Sequence, residues 1–163
     1  PGPDPRVPAP PPETGDLFVH ILYDGHCMQD AAAALCERLR AFFDEDIHFH
    51  IMWSHFQQLT DPQYGREAAE VAAQADVVVI ATASTAVLPA PIARWLGMWI
   101  CHPQKPDGLM CGLFGNAAFD RAGGSPVAAA LGATARLMQR EWMLGVVVDP
   151  VTEKRPSETA RGM

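Results

Sequence analysis

Five short apolar runs recur along this chain, and a stretch of helical periodicity or helix-start chemistry separates each from the next. The runs are residues 17–23 (LFVHILY), 47–53 (IHFHIMW), 76–82 (DVVVIAT), 108–114 (GLMCGLF) and 144–148 (LGVVV). They are nearly continuous in apolar residues, with little inside-outside alternation, which is the pattern of a strand covered on both faces. The third run is β-branched and bounded by loop residues, and it reads as the centre of a sheet.

Between the runs the period changes from two to about 3.6. In residues 30–43, Ala32, Leu35, Cys36, Leu39, Phe42 and Phe43 recur at steps of three and four, and Glu37, Arg38 and Arg40 face outward. Residues 62–75 follow Asp61 as a candidate N-cap, with Pro62 in the first turn. Leu88, Ile92, Trp95, Leu96 and Trp99 form one stripe behind Pro89 and Pro91. Ser125 and Pro126 open a last helix with Val127, Leu131, Thr134, Ala135 and Met138 inward. Arg136 and Arg140, like Arg38 and Arg40, read as solvated helix faces.

Strand and helix alternating five times with short links imply right-handed crossovers and a parallel sheet. The expected fold is therefore an α/β three-layer sandwich with a five-stranded parallel sheet of order 2-1-3-4-5, the flavodoxin-like arrangement. Phe18, Ile21, Val77, Val79, Leu113 and Val147 should lie in the sheet and be buried. Residues 1–16 form a proline-rich leader, 17–149 a single domain, and 150–163 a polar tail.

Composition narrows the functional classes. The net charge of −7 over 163 residues disfavours a nucleic-acid partner, which needs clustered Lys and Arg. No apolar run is long enough to cross a bilayer, so no membrane partner is expected. No basic-then-apolar export signal opens the chain. Cys27, Cys36, Cys101 and Cys111 form no CxxC pair, so a cytoplasmic location with reduced thiols is the default. Cys36 and Cys111 sit in apolar patterns and read as core.

In an open parallel sheet, ligands bind outside the carboxyl ends of the strands where strand order reverses. Here that is between strands one and three. After strand one come Asp24, Gly25, His26 and Cys27. Asp24, His26 and Cys27 are the candidate catalytic residues, with Cys27 before a helix whose start would favour a thiolate and His26 as a base. The alternative is a plain Asp24-Gly25 turn followed by Asp30 as N-cap. After strand three, the hydroxyls of Ser84 and Thr85 are candidates for an anion or cofactor phosphate, together with Asn116 after strand four. Capping of the next helix would use the same hydroxyls.

The six histidines include His48 and His50 on one strand face, but no H-x-x-x-H spacing declares a metal site. A composite of His26, Cys27 and His102 is the remaining metal arrangement, and none is assigned. Trp95 and Trp99, one helical turn apart, suit core or dimer packing.

Two users of this topology serve as comparisons. Flavodoxins cradle the flavin phosphate with a T/S-x-T-G-x-T loop after strand one, whereas residues 24–29 read DGHCMQ, with no hydroxyl. Response-regulator receivers need acids after strand one, an aspartate ending strand three and a lysine ending strand five. Asp24 meets the first requirement, while Thr82-Ala83 and Val148-Asp149 stand at the other two. A third likeness rests on Met52-Trp53, Leu59, Asp61-Pro62, Ala68-Ala69, Ala72-Ala73, the run 75–79, Leu88-Pro89, Trp95-Leu96 and Trp99. In these the chain resembles a group of small uncharacterised bacterial α/β proteins of flavodoxin-like topology, which implies the fold and carries no activity.

Two functional expectations follow. The first is a non-catalytic binding or interaction domain that self-associates, suggested by four tryptophans and the lack of a complete catalytic motif. No cofactor is expected on this reading. The second is an enzyme working at the carboxyl ends of strands one and three: an oxidoreductase holding FMN or a nucleotide, or a thiol-dependent activity on a small molecule.

Overall fold

The computed structural model describes residues 15–42, 47–83, 87–115 and 126–147, with the side chains of Phe42, Val146 and Val147 left aside. The leader over 1–14, the tail over 150–163, and Phe43, Ser84, Thr85, Asn116, Ser125 and Asp149 lie outside the described residues.

Five strands, β1 (Asp16–Tyr23), β2 (His48–His55), β3 (Val77–Thr82), β4 (Leu109–Gly115) and β5 (Glu141–Val147), form one sheet of order β2-β1-β3-β4-β5. Every pairing is parallel. The α-helices are α1 (His26–Phe42), α2 (Pro62–Gln74), α3 (Ala90–Ile100) and α4 (Pro126–Leu137), and a short 3-10 helix spans Phe56–Thr60. The flavodoxin-like α/β expectation therefore holds.

Side-chain alternation splits the core into two layers. Val19, Ile21, Val79, Ala81 and Leu113 meet Met28, Ala32 and Cys36 of α1. Leu22, Val78, Ile80, Met110 and Phe114 meet α2, α3 and α4 on the other face. Trp95 and Trp99 are fully buried in this second layer, stacked at 5.2 Å, and the Trp95 Nε1–H donates to the Gly65 carbonyl at 2.9 Å. The alanine face of α2, with Ala68, Ala69, Ala72 and Ala73, lets this helix approach the tryptophans closely.

Local chemistry explains the boundaries. Asp61 caps α2 by accepting from the Tyr64 amide at 3.0 Å, with proline at the helix start. His55 and Gln58 form a reciprocal capping box on the 3-10 turn.

Several expectations are corrected. The first helix starts at His26, not Asp30, so Asp30 is an exposed helical residue and not a cap. β5 begins at Glu141, three residues before the LGVVV run. Phe18 is in the sheet but 45% exposed, because it stands near the amino end of β1, stacked on His50 of the edge strand at 4.7 Å. Val77 is half-buried, and so is Cys111, at the layer that α1 covers. Arg140 is not on a solvated helix face: it is 4% exposed and follows α4 in a buried turn.

Candidate functional site

At the carboxyl edge of the sheet the chain leaves β1 for β2 on one side, while β3 leads to β4 on the other. The two central strands are tied together there by Asp24. Its amide donates to the Ala81 carbonyl at 3.2 Å. Its carboxylate Oδ2 accepts from the Thr82 hydroxyl at 2.7 Å and from the Ala83 amide at 2.8 Å. Asp24 therefore turns toward β3, 58 residues away in sequence, and not toward the helix that follows it.

His26 and Cys27 occupy the first turn of α1 and both are exposed. The Gln29 amide closes that turn on the Gly25 carbonyl at 2.9 Å. Met28 anchors the turn in the core at 4% exposure. The structure thus brings Asp24, His26 and Cys27 to one edge without a hydrogen bond that links them. Asp24 is bonded to β3, and the other two face solvent.

Beside them stands an aromatic group that the sequence did not announce. Tyr23 lies directly opposite His55 in the β1–β2 register, with ring centroids 5.1 Å apart, and Trp53 approaches Tyr23 at 6.1 Å, both edge-on. All three are half-buried. The His55 Nδ1 accepts from the Gln57 amide at 3.0 Å, so in the neutral ring the proton sits on Nε2. The pairing could be found only from the register, since these residues sit 32 positions apart.

A second polar cluster is buried beneath the other layer. His20 Nε2 and Ser54 Oγ are 3.0 Å apart, and Ser54 Oγ and the Tyr64 hydroxyl are 2.9 Å apart. His20 and Ser54 are fully buried, and the His20 Nδ1 finds no partner among the described residues. Burial pushes the His20 pKa from 6.5 down to about 4, so the ring is neutral near pH 7. With both members of the pair sealed from solvent, this is a structural chain and not a Ser–His nucleophile.

The opposite, amino edge carries two open depressions. One of about 670 Å³ is lined by Phe18, Val71, Pro103, His102 and Lys105 among others. A second, of about 490 Å³, shares His102 and Lys105 and adds Ile100 and Leu137. Lys105 is paired with Asp76 at 2.6 Å. Since His102 belongs to this edge and His26 and Cys27 to the other, the composite metal arrangement is overturned. Among the described residues, no group of three or more His, Cys, Asp or Glu side chains is gathered to hold a metal ion. No helix among them is long and apolar enough to cross a membrane. No protein-family model matches the chain, and no curated protein proves similar to it.

Proposed function

We propose that this chain is an interaction domain that works by associating with another protein surface, in the simplest case a second copy of itself. The observation that supports the reading is where large apolar side chains remain exposed. Trp95 and Trp99 are used up in the core, yet Leu137 is 72% exposed, Met143 52% and Leu144 47%. Single exposed apolar residues are ordinary, but three along α4 and the edge strand β5, on both faces of that strand, favour association at this edge. Sedimentation velocity from about 1 to 100 micromolar tests it, a range in which small interfaces associate. A concentration-dependent rise above the 17.7 kDa monomer is expected, and a monomer throughout would defeat the reading.

The cytoplasm suits this domain, because Cys27 and Cys101 are both exposed and stay thiols in a reducing compartment. No metal or nucleic acid enters this reading.

A second reading is favoured by the carboxyl edge itself. Asp24 stapled to β3 beside the ring group of Tyr23, Trp53 and His55 offers a polar anchor next to an aromatic wall, a combination that suits FMN or a nucleotide base. Ligand at about 100 times Kd would stabilise the fold by roughly 2.7 kcal/mol, and a thermal-shift panel of flavins and nucleotides reads that directly. No shift with any of them would leave only the thiol-dependent form of this reading.

A further inference from the structure

We propose that two copies of this chain pair through the outer edge of β5, antiparallel across a two-fold axis, so that the two sheets join and the two α4 helices pack side by side. The inference rests on the self-association reading above and adds the surface and its geometry.

β5 is an edge strand, paired only with β4 among the described residues. Edge strands are ordinarily protected by proline, lysine or a bulge. The seven residues EWMLGVV contain neither proline nor lysine, and Met143 and Leu144 leave both faces of the strand apolar and exposed. The opposite edge, β2, differs: His48, His50 and His55 stud it, and His50 bonds Asp16 at 3.0 Å.

The adjoining helix is equally unprotected. On α4 the exposed positions are Pro126, Ala129, Ala130, Ala133, Arg136 and Leu137, so one cation interrupts an otherwise apolar surface. The outward face of α2, in contrast, carries Gln63, Arg66, Glu67 and Glu70.

Geometry connects the two features. α4 packs on both β4 and β5, which sets its axis above the gap between them. Pairing β5 to its copy at a strand spacing of about 4.8 Å then separates the two α4 axes by about 10 Å, ordinary helix-packing distance. Small residues where two helices touch let them settle at that spacing without a clash, and alanines make up half of the exposed positions of α4. A two-fold centred on Leu144 sets the two Leu144 side chains against each other. It also places Met143 across from Gly145 of the partner subunit, where the missing side chain leaves room.

Charge agrees. The chain carries −7, which repels copies from one another, but among the described residues the exposed charges of α4 and β5 are Arg136 and Glu141, which balance. Antiparallel pairing also keeps the two Glu141 carboxylates at opposite ends of the ladder, whereas parallel pairing would bring them together.

The test is sedimentation velocity of the full chain and three variants, with a cross-link. Leu144→Lys and Ala133→Glu should each weaken association at least about tenfold, since each places an unpaired charge in the joint. At a dilution where the parent is also monomeric, their melting temperatures should match the parent, both sites being exposed. Phe18→Lys, at the amino-edge depression, should leave association unchanged. Leu144→Cys, treated with an added thiol oxidant that takes up the two electrons, should form a disulfide between the two positions 144, which directly opposed strands bring within bridging distance. A parent that stays monomeric defeats both the reading and this surface. A dimer that survives Leu144→Lys and Ala133→Glu, or one lost on Phe18→Lys, or a Leu144→Cys chain that bridges elsewhere, defeats the β5 joint and leaves self-association standing.

Discussion

Arg140 is the residue whose position was least legible. Placed between a helix and a strand, an arginine is ordinarily solvated, and nothing in its neighbours says otherwise. In the fold its guanidinium is buried. It donates to the carbonyls of Ala72, Ala73 and Ala75 at 2.9 to 3.1 Å, to Leu109 O at 3.3 Å and to Gln104 Oε1 at 2.9 Å. It also lies over the Trp99 ring at 5.5 Å. Three of these acceptors, the Ala72, Ala73 and Ala75 carbonyls, lie at the C-terminal end of α2, where the helix end attracts a cation. Burial lowers the Arg140 pKa and Asp76 opposes that fall. Arg140→Ala should cost about 3 kcal/mol, because it removes a buried side chain with its set of hydrogen bonds at once and takes from the Ala75 carbonyl its donor, while Ala72 O and Ala73 O keep the Ala75 and Lys105 amides. Urea unfolding checks this, and a loss below about 1 kcal/mol would show that water replaces the guanidinium at no cost. Gly108 belongs to the same device: a Cβ there would collide with the Arg140 guanidinium, so Gly108→Ala should destabilise as well. His20 supplies a pH dependence. Its pKa is about 4 folded against 6.5 unfolded, so between these values the unfolded chain binds a proton that the folded chain refuses. The stability that this group provides is complete above pH 6.5 and is lost as pH falls toward 4, by about 3 kcal/mol in total. Melting curves from pH 7.5 to 4 should show the loss in the parent and a smaller one in His20→Gln; equal slopes would assign acid sensitivity to other groups.

At the scale of elements, legibility follows from how completely each is covered. β3 has helices on both faces, so its continuous β-branched run declared it, and Val78, Val79, Ile80 and Ala81 are all buried. Val79→Asp places a carboxylate without a partner there and should abolish cooperative melting; a transition within a few degrees of the parent would contradict its place in the sheet centre. α1 extends four residues beyond its periodic stretch, because His26, Cys27, Met28 and Gln29 show no helical period and Gly25 offers no capping side chain. β5 begins three residues before its apolar run for another reason: it is an edge among the described residues, and Glu141 and the half-exposed strand blur the run. Its Trp142 fits a slot that the sequence hides entirely. A Cβ at Gly112 would stand 2.6 Å from the Trp142 ring, and one at Gly132 of α4 3.2 Å from its Nε1. Two glycines far apart in sequence thus seat one indole between β4 and α4, and only the assembled register reveals it.

For the whole molecule, the periodicity carried the sheet order, and with it the edge where a site should open, but not what assembles there. Asp24 meets Thr82 and Tyr23 meets His55 only after strands distant in sequence align. Ser84, Thr85 and Asn116 lie outside the described residues. The two edges can be told apart by their thiols, since Cys27 lies at the carboxyl edge and Cys101 at the amino edge, both exposed. Cys36 is buried, and burial raises its pKa; burial also pushes Cys111 up to about 11. Labelling at neutral pH, read cysteine by cysteine, should therefore modify Cys27 and Cys101 well before Cys36 and Cys111, because the thiolate is the reacting form. The Cys101 thiol donates to the Gly97 carbonyl at 3.4 Å within its own helix, so Cys27 should label ahead of it. If His26 assists, His26→Ala should slow Cys27 alone. A flavin or nucleotide seated at the carboxyl edge should protect Cys27 and leave Cys101 untouched, whereas pairing through β5 should protect neither. Equal labelling of Cys27 and Cys101, unmoved by His26→Ala or by ligand, would remove the carboxyl edge as a site and leave the molecule to act through its surfaces.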